Sequence, residues 1–331
     1  MLKIGIVGLG VISDVHIKAI EKIAEAELVA VCDIDGDKKS KVPTLNFYID
    51  IEEMLKKETL DCLHICLPHY LHVPIALLAS KYGVQVFMEK PVGLNQEDIK
   101  ALSNLDKQIK VGVCLQNRYN ETVIKLQEVL QNQNYGKVKG CKAILTWNRP
   151  QQYYEKDPWR GTIEESGGGV MLSQAIHTID LMYHLMGSIK WVKGFAGNLY
   201  LEKIEVEDTA CAHMEFKSGA KGIFYATVTH CFNSSVEMEI VCEEAVLRIQ
   251  DGKLFVYQNQ EETLLAKDSV VKDGKNYYGE KHKEAIQAFY QAILKNNESY
   301  ITVEESKQAV YIIDSVIESS KRGEKVYLNN K

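Results

Sequence analysis

The first third of the chain alternates short apolar runs with amphipathic stretches. The apolar runs predict strands at Ile4–Gly8, Leu28–Cys32, Cys62–Leu67, Val84–Met88 and Val111–Leu115. Between them, Val15–Ala26, Val73–Lys81 and Gln96–Lys107 carry a helical pattern. Strands that are apolar almost throughout are buried on both faces, as in a parallel sheet covered by helices. Right-handed crossovers then give a doubly wound domain. After about Tyr119 the pattern changes. A helix at Glu121–Leu130 leads to a strand at Val138–Trp147, a long polar loop, and a helix beginning near the glycines at 167–169. From Val192 to Gln258 strand follows strand, with turn signals at Lys217-Ser218-Gly219, Asn233-Ser234 and Asp251-Gly252. This predicts an antiparallel or mixed sheet. Two helices, Lys281–Lys295 and Val303–Arg322, close the chain; Thr302-Val-Glu-Glu305 reads as a capping box and Gly323 as the stop.

A chain of 331 residues has room for two cores, and the change of pattern puts the boundary at 119/120, giving domains 1–119 and 120–331. The last helix, 303–322, is expected to pack back near the first domain. A net charge of −6 lacks the basic footprint of a nucleic-acid binder. The longest charge-free stretch, Cys62–Ser80, holds three His and two Pro and does not predict a membrane span. The eight cysteines stand singly, without paired spacing, and read as reduced core residues of a cytoplasmic protein.

Gly8-Leu-Gly10-Val11-Ile12-Ser13 follows the first strand and opens a helix. In that context Gly8 permits a tight turn, and Gly10 lets the backbone approach a pyrophosphate at the helix N-terminus. Ser13 stands where a third glycine is usual. Asp33, ending the second strand, suits the ribose hydroxyls of NAD and repels the 2′-phosphate of NADP; it also suits a helix cap. His64-x-Cys66-x-x-His69-x-x-His72 invites a metal, but its members straddle a strand and the turn beyond Pro68 without a carboxylate. No metal is expected there.

Glu89-Lys90-Pro91 follows the strand Val84–Met88, and Gly167-Gly168-Gly169 precedes His177 by a fixed interval. Together with the Gly8/Gly10 turn they resemble the glucose–fructose oxidoreductase / inositol dehydrogenase (Gfo/Idh/MocA) family over essentially the whole chain. Leu67-Pro68-His69-x-x-His72, Gln116-Asn117-Arg118, Pro158-Trp159-Arg160-Gly161 and Gly279-x-x-His282 extend the likeness. The resemblance implies an α/β fold: an N-terminal Rossmann doubly wound parallel sheet, and a C-terminal α/β domain with a large, mostly antiparallel open sheet. It implies NAD, ahead of NADP, held by Gly8, Gly10, Val11, Ile12, Asp33, Leu67, Pro68, His69, His72, Glu89, Lys90, Asn117, Trp159 and Arg160. It implies a small polyhydroxylated substrate between the domains and a homodimer or homotetramer formed through the C-terminal sheet.

Oxidising a secondary alcohol removes a hydride from carbon and a proton from oxygen. Lys90, at a strand end, suits the substrate hydroxyl and its developing charge, and Glu89 biases that lysine. His177 suits the general base, with Asp180 on the same helix face to orient it. Many members carry Asp four residues before this His; here Ser173 stands there, a poor proton acceptor. Tyr153, Tyr154, Arg160, Trp147 and His282 suit a substrate wall, and Ser173 a hydrogen bond to it. The leading expectation is a sugar, inositol or polyol dehydrogenase with Lys90 and His177 as catalytic residues. A hydrolase that retains NAD and a non-catalytic nucleotide or sugar sensor are the alternatives.

Overall fold

A computed structural model of the chain describes residues 1–269 and 281–328. They form two compact units: Met1–Gln116 with Lys281–Lys307, and Asn117–Glu280 with Gln308–Lys331, of which the undescribed residues are left aside. The first unit therefore takes in more than the leading third of the chain. The sequence boundary at 119 marks where the strand pattern changes, but the chain returns at 281.

The first unit has strands β1 (Leu2–Val7), β2 (Ala26–Cys32), β3 (Asn46–Tyr48), β4 (Cys62–Ile65), β5 (Gln85–Met88) and β6 (Val111–Val113). They form one parallel sheet in the order β3-β2-β1-β4-β5-β6. β4 is buried at every position, which is why its sequence does not alternate. Helices α1 (Ser13–Ile20), α2 (Ile51–Lys57), α3 (His72–Lys81) and α4 (Gln96–Ser103) make the crossovers. β3 and α2 escape the sequence pattern. β3 is three residues at the sheet edge, Asn46 exposed and the other two half-buried, and α2 is a seven-residue helix capped by Asp50, whose Oδ1 accepts from Glu53 N at 2.7 Å. The helix His282–Lys295 belongs to this unit: Phe289 sits against Gly112, where an added Cβ would meet its ring at 2.6 Å. The chain then crosses back to β6, with Val113 N donating to Ile301 O at 3.0 Å.

The second unit opens with a helix at Glu121–Gln131 and is built on a sheet of β7 (Val138–Thr146), β8 (Ile189–Gly197), β9 (Thr209–Phe216), β10 (Lys221–Thr227), β11 (Glu237–Cys242), β12 (Val246–Gln250), β13 (Lys253–Gln258), β14 (Glu261–Lys267) and β15 (Val326–Tyr327). The order is β14-β13-β12-β11-β7-β10-β9-β8-β15, antiparallel at every pairing except β7 with β10. Asp251 and Gly252, both at positive φ, make the tight turn from β12 to β13. The stretch read as a polar loop folds instead into short helical pieces at Gln151–Lys156, Pro158–Gly161 and Ile163–Ser166. One sheet face is wet: Phe195, Cys211 and Tyr225 are register partners across β8, β9 and β10, and all three are exposed. Cys211 and Cys231 thus depart from the expectation of core cysteines; the other six are buried, and all eight are free. Among the described residues no helix is long and apolar enough to cross a membrane.

The helix Val303–Arg322 starts as its sequence predicts. Glu305 N donates to Thr302 Oγ1 at 3.3 Å and Thr302 N to Glu305 Oε2 at 3.0 Å, while Gly323 takes φ +70° at the far end. Thr302→Ala should cost about 1 kcal/mol, the usual weight of a capping side chain. Chemical denaturation of the two proteins, compared at equal slope, reads this difference.

Candidate active site

The carboxyl ends of β1, β2, β4, β5 and β6 share one edge of the first sheet, and the chain places chemistry after each. Gly8 sits at φ +90°, and a Cβ there would lie 2.5 Å from Cys66 O, so the turn admits only glycine. Around Gly10 a Cβ would meet nothing within 4 Å, and Val11 beside it is 90% exposed. Backbone is laid open where a ligand can approach it. Ser13 is buried and donates its hydroxyl to Gly10 O at 2.6 Å, so it ties the turn together in place of a third glycine.

Asp33 has more duties than its sequence position predicts. Its carboxylate accepts from Leu9 N at 2.6 Å, Asp35 N at 2.9 Å and Lys38 Nζ at 2.9 Å. Burial opposes its charge, but these donors win and hold its carboxyl below the ordinary value. It therefore closes the glycine turn from the neighbouring strand.

The Leu67–His72 segment is drawn inward. His72 is fully buried, and its Nδ1 and Nε2 stand 2.9 Å from Pro91 O and 2.8 Å from Leu67 O. Burial, the largest influence, lowers its pKa, and a neutral ring donates to one of these carbonyls at a time. His72 thus joins the loop after β4 to the loop after β5. His69 is buried beside it, 5.8 Å away between ring centroids. With His64 and His72 committed to hydrogen bonds, the spacing His64-x-Cys66-x-x-His69-x-x-His72 does not describe a ligand set.

Glu89 lies at the centre of a buried chain of polar contacts. His16 Nε2 is 3.0 Å from Glu89 Oε1, His16 Nδ1 is 2.8 Å from His64 Nδ1, and His64 Nε2 is 2.7 Å from Tyr290 Oη. Burial alone would push His16 down, but Cys66, Cys114 and Glu89 around it carry its pKa well above the ordinary imidazole value. Burial likewise opposes charge on Glu89, and the hydrogen bond and charge of His16, with His282 and Lys90 nearby, hold it well below the usual carboxylate range. His64, by contrast, is lowered by burial and then by the His16 charge. The proton pattern follows: His16 donates to Glu89 and to His64 Nδ1, which leaves the His64 proton on Nε2 to reach Tyr290 Oη. His282, expected in a substrate wall, stands 3.8 Å from Glu89 Oε1, and burial pushes it down to about 4. The residue before it in the motif, Gly279, lies outside the described residues. His16, Glu89, Cys114 and His282 offer donor atoms within 4.8 Å of one another. Yet His16 uses both nitrogens within the chain of hydrogen bonds, and burial pushes the Cys114 thiol up to about 12. Glu89 is joined to His16 by a hydrogen bond, with His282 standing 3.8 Å from the same oxygen. Lys90, half-buried, follows it directly, and its peptide to Pro91 is cis.

In the second unit a carboxylate that the sequence reading missed shapes the glycine segment. Glu207, buried, accepts from Gly169 N at 2.8 Å and Met171 N at 3.0 Å. A Cβ on Gly169 would run into the Glu207 carbonyl, so this glycine is sterically required. The short helix Val170–Ser173 and the helix Ile176–Met186 follow, carrying Ser173 and the half-buried His177. Ser173 Oγ donates to Gly168 O at 3.5 Å. Asp180, expected to orient His177, gives both oxygens to Arg118, at 2.8 Å from Nε and 2.6 Å from an Nη. Asn117 Oδ1 is buried and finds no hydrogen-bond partner among the described residues.

The aromatic residues of the expected substrate wall form a ladder with two arginines. Arg149 lies over Trp147 at 5.0 Å and Tyr153 at 5.6 Å; Arg160 lies over Tyr153 at 4.9 Å and Trp159 at 4.5 Å. Tyr154 turns away from it into the core, packing on Ile204 and Val206. Arg149 was not singled out by the sequence; an arginine two residues past a buried Trp is the only signal it leaves.

Comparison with known proteins agrees with this architecture. Residues 2–116 match the oxidoreductase family with an NAD-binding Rossmann fold, and residues 123–248 match the GFO/IDH/MocA C-terminal domain. The chain belongs to the Gfo/Idh/MocA family of oxidoreductases, and its cofactor is NAD. It is 23% identical to a myo-inositol 2-dehydrogenase of Thermotoga maritima, covering 94% of each chain. It is 24% identical to the NAD⁺-dependent scyllo-inositol 2-dehydrogenase of Bacillus subtilis, covering 91% of this chain and 89% of that one. Among solved structures, the WlbA dehydrogenase of Bordetella pertussis, in complex with NADH and UDP-GlcNAcA, superposes with a TM-score of 0.86 at 24% identity, covering 100% and 99% of the two chains. A levoglucosan dehydrogenase in complex with NADH gives 0.87 at 18% identity, covering 100% of both. The open backbone at Gly10 fits such a dinucleotide. When bound, NAD supplies the hydride acceptor.

The buried Glu89–His16 pair generates a stability prediction. His16→Gln should cost roughly 3–5 kcal/mol near pH 6, because it leaves a buried carboxylate without its counter-charge. Glu89, held down, contributes stability above its ordinary value of 4.5 that is lost as pH falls through its folded pKa. His16, held up, contributes below its ordinary 6.5 and loses that as pH rises through its folded pKa. The gap between wild type and variant should thus be widest between those two ordinary values and narrow on both sides. Denaturant titrations across pH measure it; a gap that does not change with pH contradicts the charge assignment.

Proposed function

We propose that this protein is an NAD-dependent dehydrogenase that oxidises a secondary alcohol of a sugar, inositol or related polyol. In this reading Lys90 donates to the substrate oxygen and stabilises the charge that develops there, while His177 takes the hydroxyl proton. The observation that carries it is the position of Lys90: it leaves the carboxyl edge of the sheet beside a glutamate kept charged by buried partners. The charge of Lys90 is among those that hold Glu89 down, and the fixed carboxylate attracts the ammonium in return. Asp180 is engaged by Arg118 and Ser173 is a weak base, which leaves His177 as the proton acceptor. The kinship with inositol dehydrogenases supports the polyol class. The arginine–aromatic ladder suits the apolar faces and hydroxyl edges of such a ring. The exposed Phe195, Ile223 and Tyr225 support a homodimer or homotetramer joined through the second sheet, which light scattering of the purified protein decides.

The test is a panel of sugars, inositols and other polyols offered with NAD⁺, followed by growth of the NADH absorbance band. Turnover of at least one is expected. No NADH from any of them, in protein that binds the nucleotide, rejects the reading. On an active substrate Lys90→Ala and His177→Asn should each lower kcat by about a hundredfold or more, the scale of one positioned acid–base or electrostatic group. NADH affinity should change little in either. A fully active variant removes its residue from the mechanism.

A further inference from the structure

Four side chains of the kinds that bind zinc converge in the first unit, each from a different element. His16 stands on α1, Glu89 one residue past β5 and Cys114 one residue past β6, while His282 opens the helix His282–Lys295. All four are buried, and one donor atom of each lies within 4.8 Å of the others. His16 Nε2 is 3.0 Å and His282 Nε2 3.8 Å from the same oxygen, Glu89 Oε1. Tetrahedral zinc, with bonds of about 2.0–2.3 Å, holds its nitrogen and sulfur ligands roughly 3.3–3.6 Å apart. Side-chain shifts of about an ångström therefore bring the four donors onto one ion.

Two observations beyond the clustering point to an ion. His282 Nδ1 is buried and finds no hydrogen-bond partner among the described residues, and its Nε2, at 3.8 Å from Glu89, is beyond hydrogen-bond reach. In either tautomer this ring keeps a lone pair that the fold does not use. His16, for its part, is already oriented from behind: its Nδ1 lies 2.8 Å from His64 Nδ1, and His64 Nε2 lies 2.7 Å from Tyr290 Oη. A metal-binding imidazole donates its second nitrogen to such a partner. Taking up an ion changes the Nε2 contact of His16 alone, and the Nδ1 contact stays. The side chains of Glu89 and His282 are 10% and 7% exposed whereas that of His16 is at 0%, so an ion enters past the carboxylate.

We propose that His16, Glu89, Cys114 and His282 form a zinc(II) site. Two nitrogens, a sulfur and an oxygen suit zinc rather than magnesium or calcium, which take oxygen ligands. As the ion binds it sheds its waters, and two protons leave, one from His16 Nε2 and one from the Cys114 thiol. The thiolate and the carboxylate then match the two charges of the ion, and the filled site is neutral. Zinc thereby takes hold of the carboxylate that precedes Lys90. The site is then a control on the enzyme, a consequence that rests on the role proposed for Lys90.

Chelator-washed full-length protein, titrated with Co²⁺ as a spectroscopic probe and with Zn²⁺ against a chelating dye, tests the site without any turnover. One Co²⁺ per chain should give a thiolate-to-cobalt charge-transfer band and the visible bands of a tetrahedral ion, and Zn²⁺ should displace it. Cys114→Ser should abolish the charge-transfer band, and Cys114→Ser and His282→Asn should each weaken Zn²⁺ by about tenfold or more. Cys211→Ser, which removes an exposed thiol, should change neither. The proposal is overturned if wild type takes up no stoichiometric Co²⁺, or if the band survives in Cys114→Ser and so belongs to another cysteine. Should Cys114→Ser fail to fold, His282→Asn decides: an unchanged Zn²⁺ affinity overturns the site. On a polyol that turns over, one equivalent of Zn²⁺ should slow wild type by about tenfold or more, reversibly with chelator, and spare Cys114→Ser. Binding without slowing upholds the site and removes Glu89 from the mechanism, so the two readings fail separately.

Discussion

A carboxylate taken out of water has to be matched by charge and hydrogen bonds, or the fold around it fails. In the first unit that carboxylate is Glu89. Its partner His16 comes from α1, His64 behind it from β4, Tyr290 and His282 from the helix His282–Lys295. Four segments far apart in sequence are thereby held to one point at the carboxyl edge of the sheet. The residue that follows Glu89 inherits this fixity, which is how Lys90 can sit on a loop and still be placed with the precision of a core residue.

The second unit solves a similar problem with the same kind of group. Glu207 holds the amides of Gly169 and Met171, and Asp180 is clamped by Arg118 on the helix that bears His177. In each unit a buried acid orders the segment from which a proposed catalytic side chain projects. Asp33 does the same for the glycine turn, taking Leu9 N while pairing with Lys38.

Strands buried on both faces and turns built from Asp251-Gly252 or Thr302…Glu305 were legible because local pattern decides them. β3 and α2 were not, being too short to show a period. The motif residues could be named from the chain, but their partners could not. Nothing local connects His16 to Glu89, 73 positions apart, or Glu207 to Gly169. His282 shows it plainly: its approach to Glu89, 193 positions away in the sequence, is made by the packing of its helix. Asp180 had a neighbour on its own helix as the visible partner, and the structure adds Arg118, 62 positions back. Sequence separation hides such pairs, since only the fold closes the loop between them.

The chain has three tryptophans, and all lie in the second unit under a cation: Trp147 below Arg149 at 5.0 Å, Trp159 below Arg160 at 4.5 Å and Trp191 below Lys325 at 3.8 Å. The first unit carries five tyrosines and three phenylalanines but no indole. The molecule is therefore optically lopsided. Its indole emission reports the second unit and the stacking of the arginine ladder, and it is blind to events confined to the nucleotide-binding sheet. Melting of one unit without the other would show as a split between indole emission and far-ultraviolet dichroism, so the two halves can be followed separately with no label added.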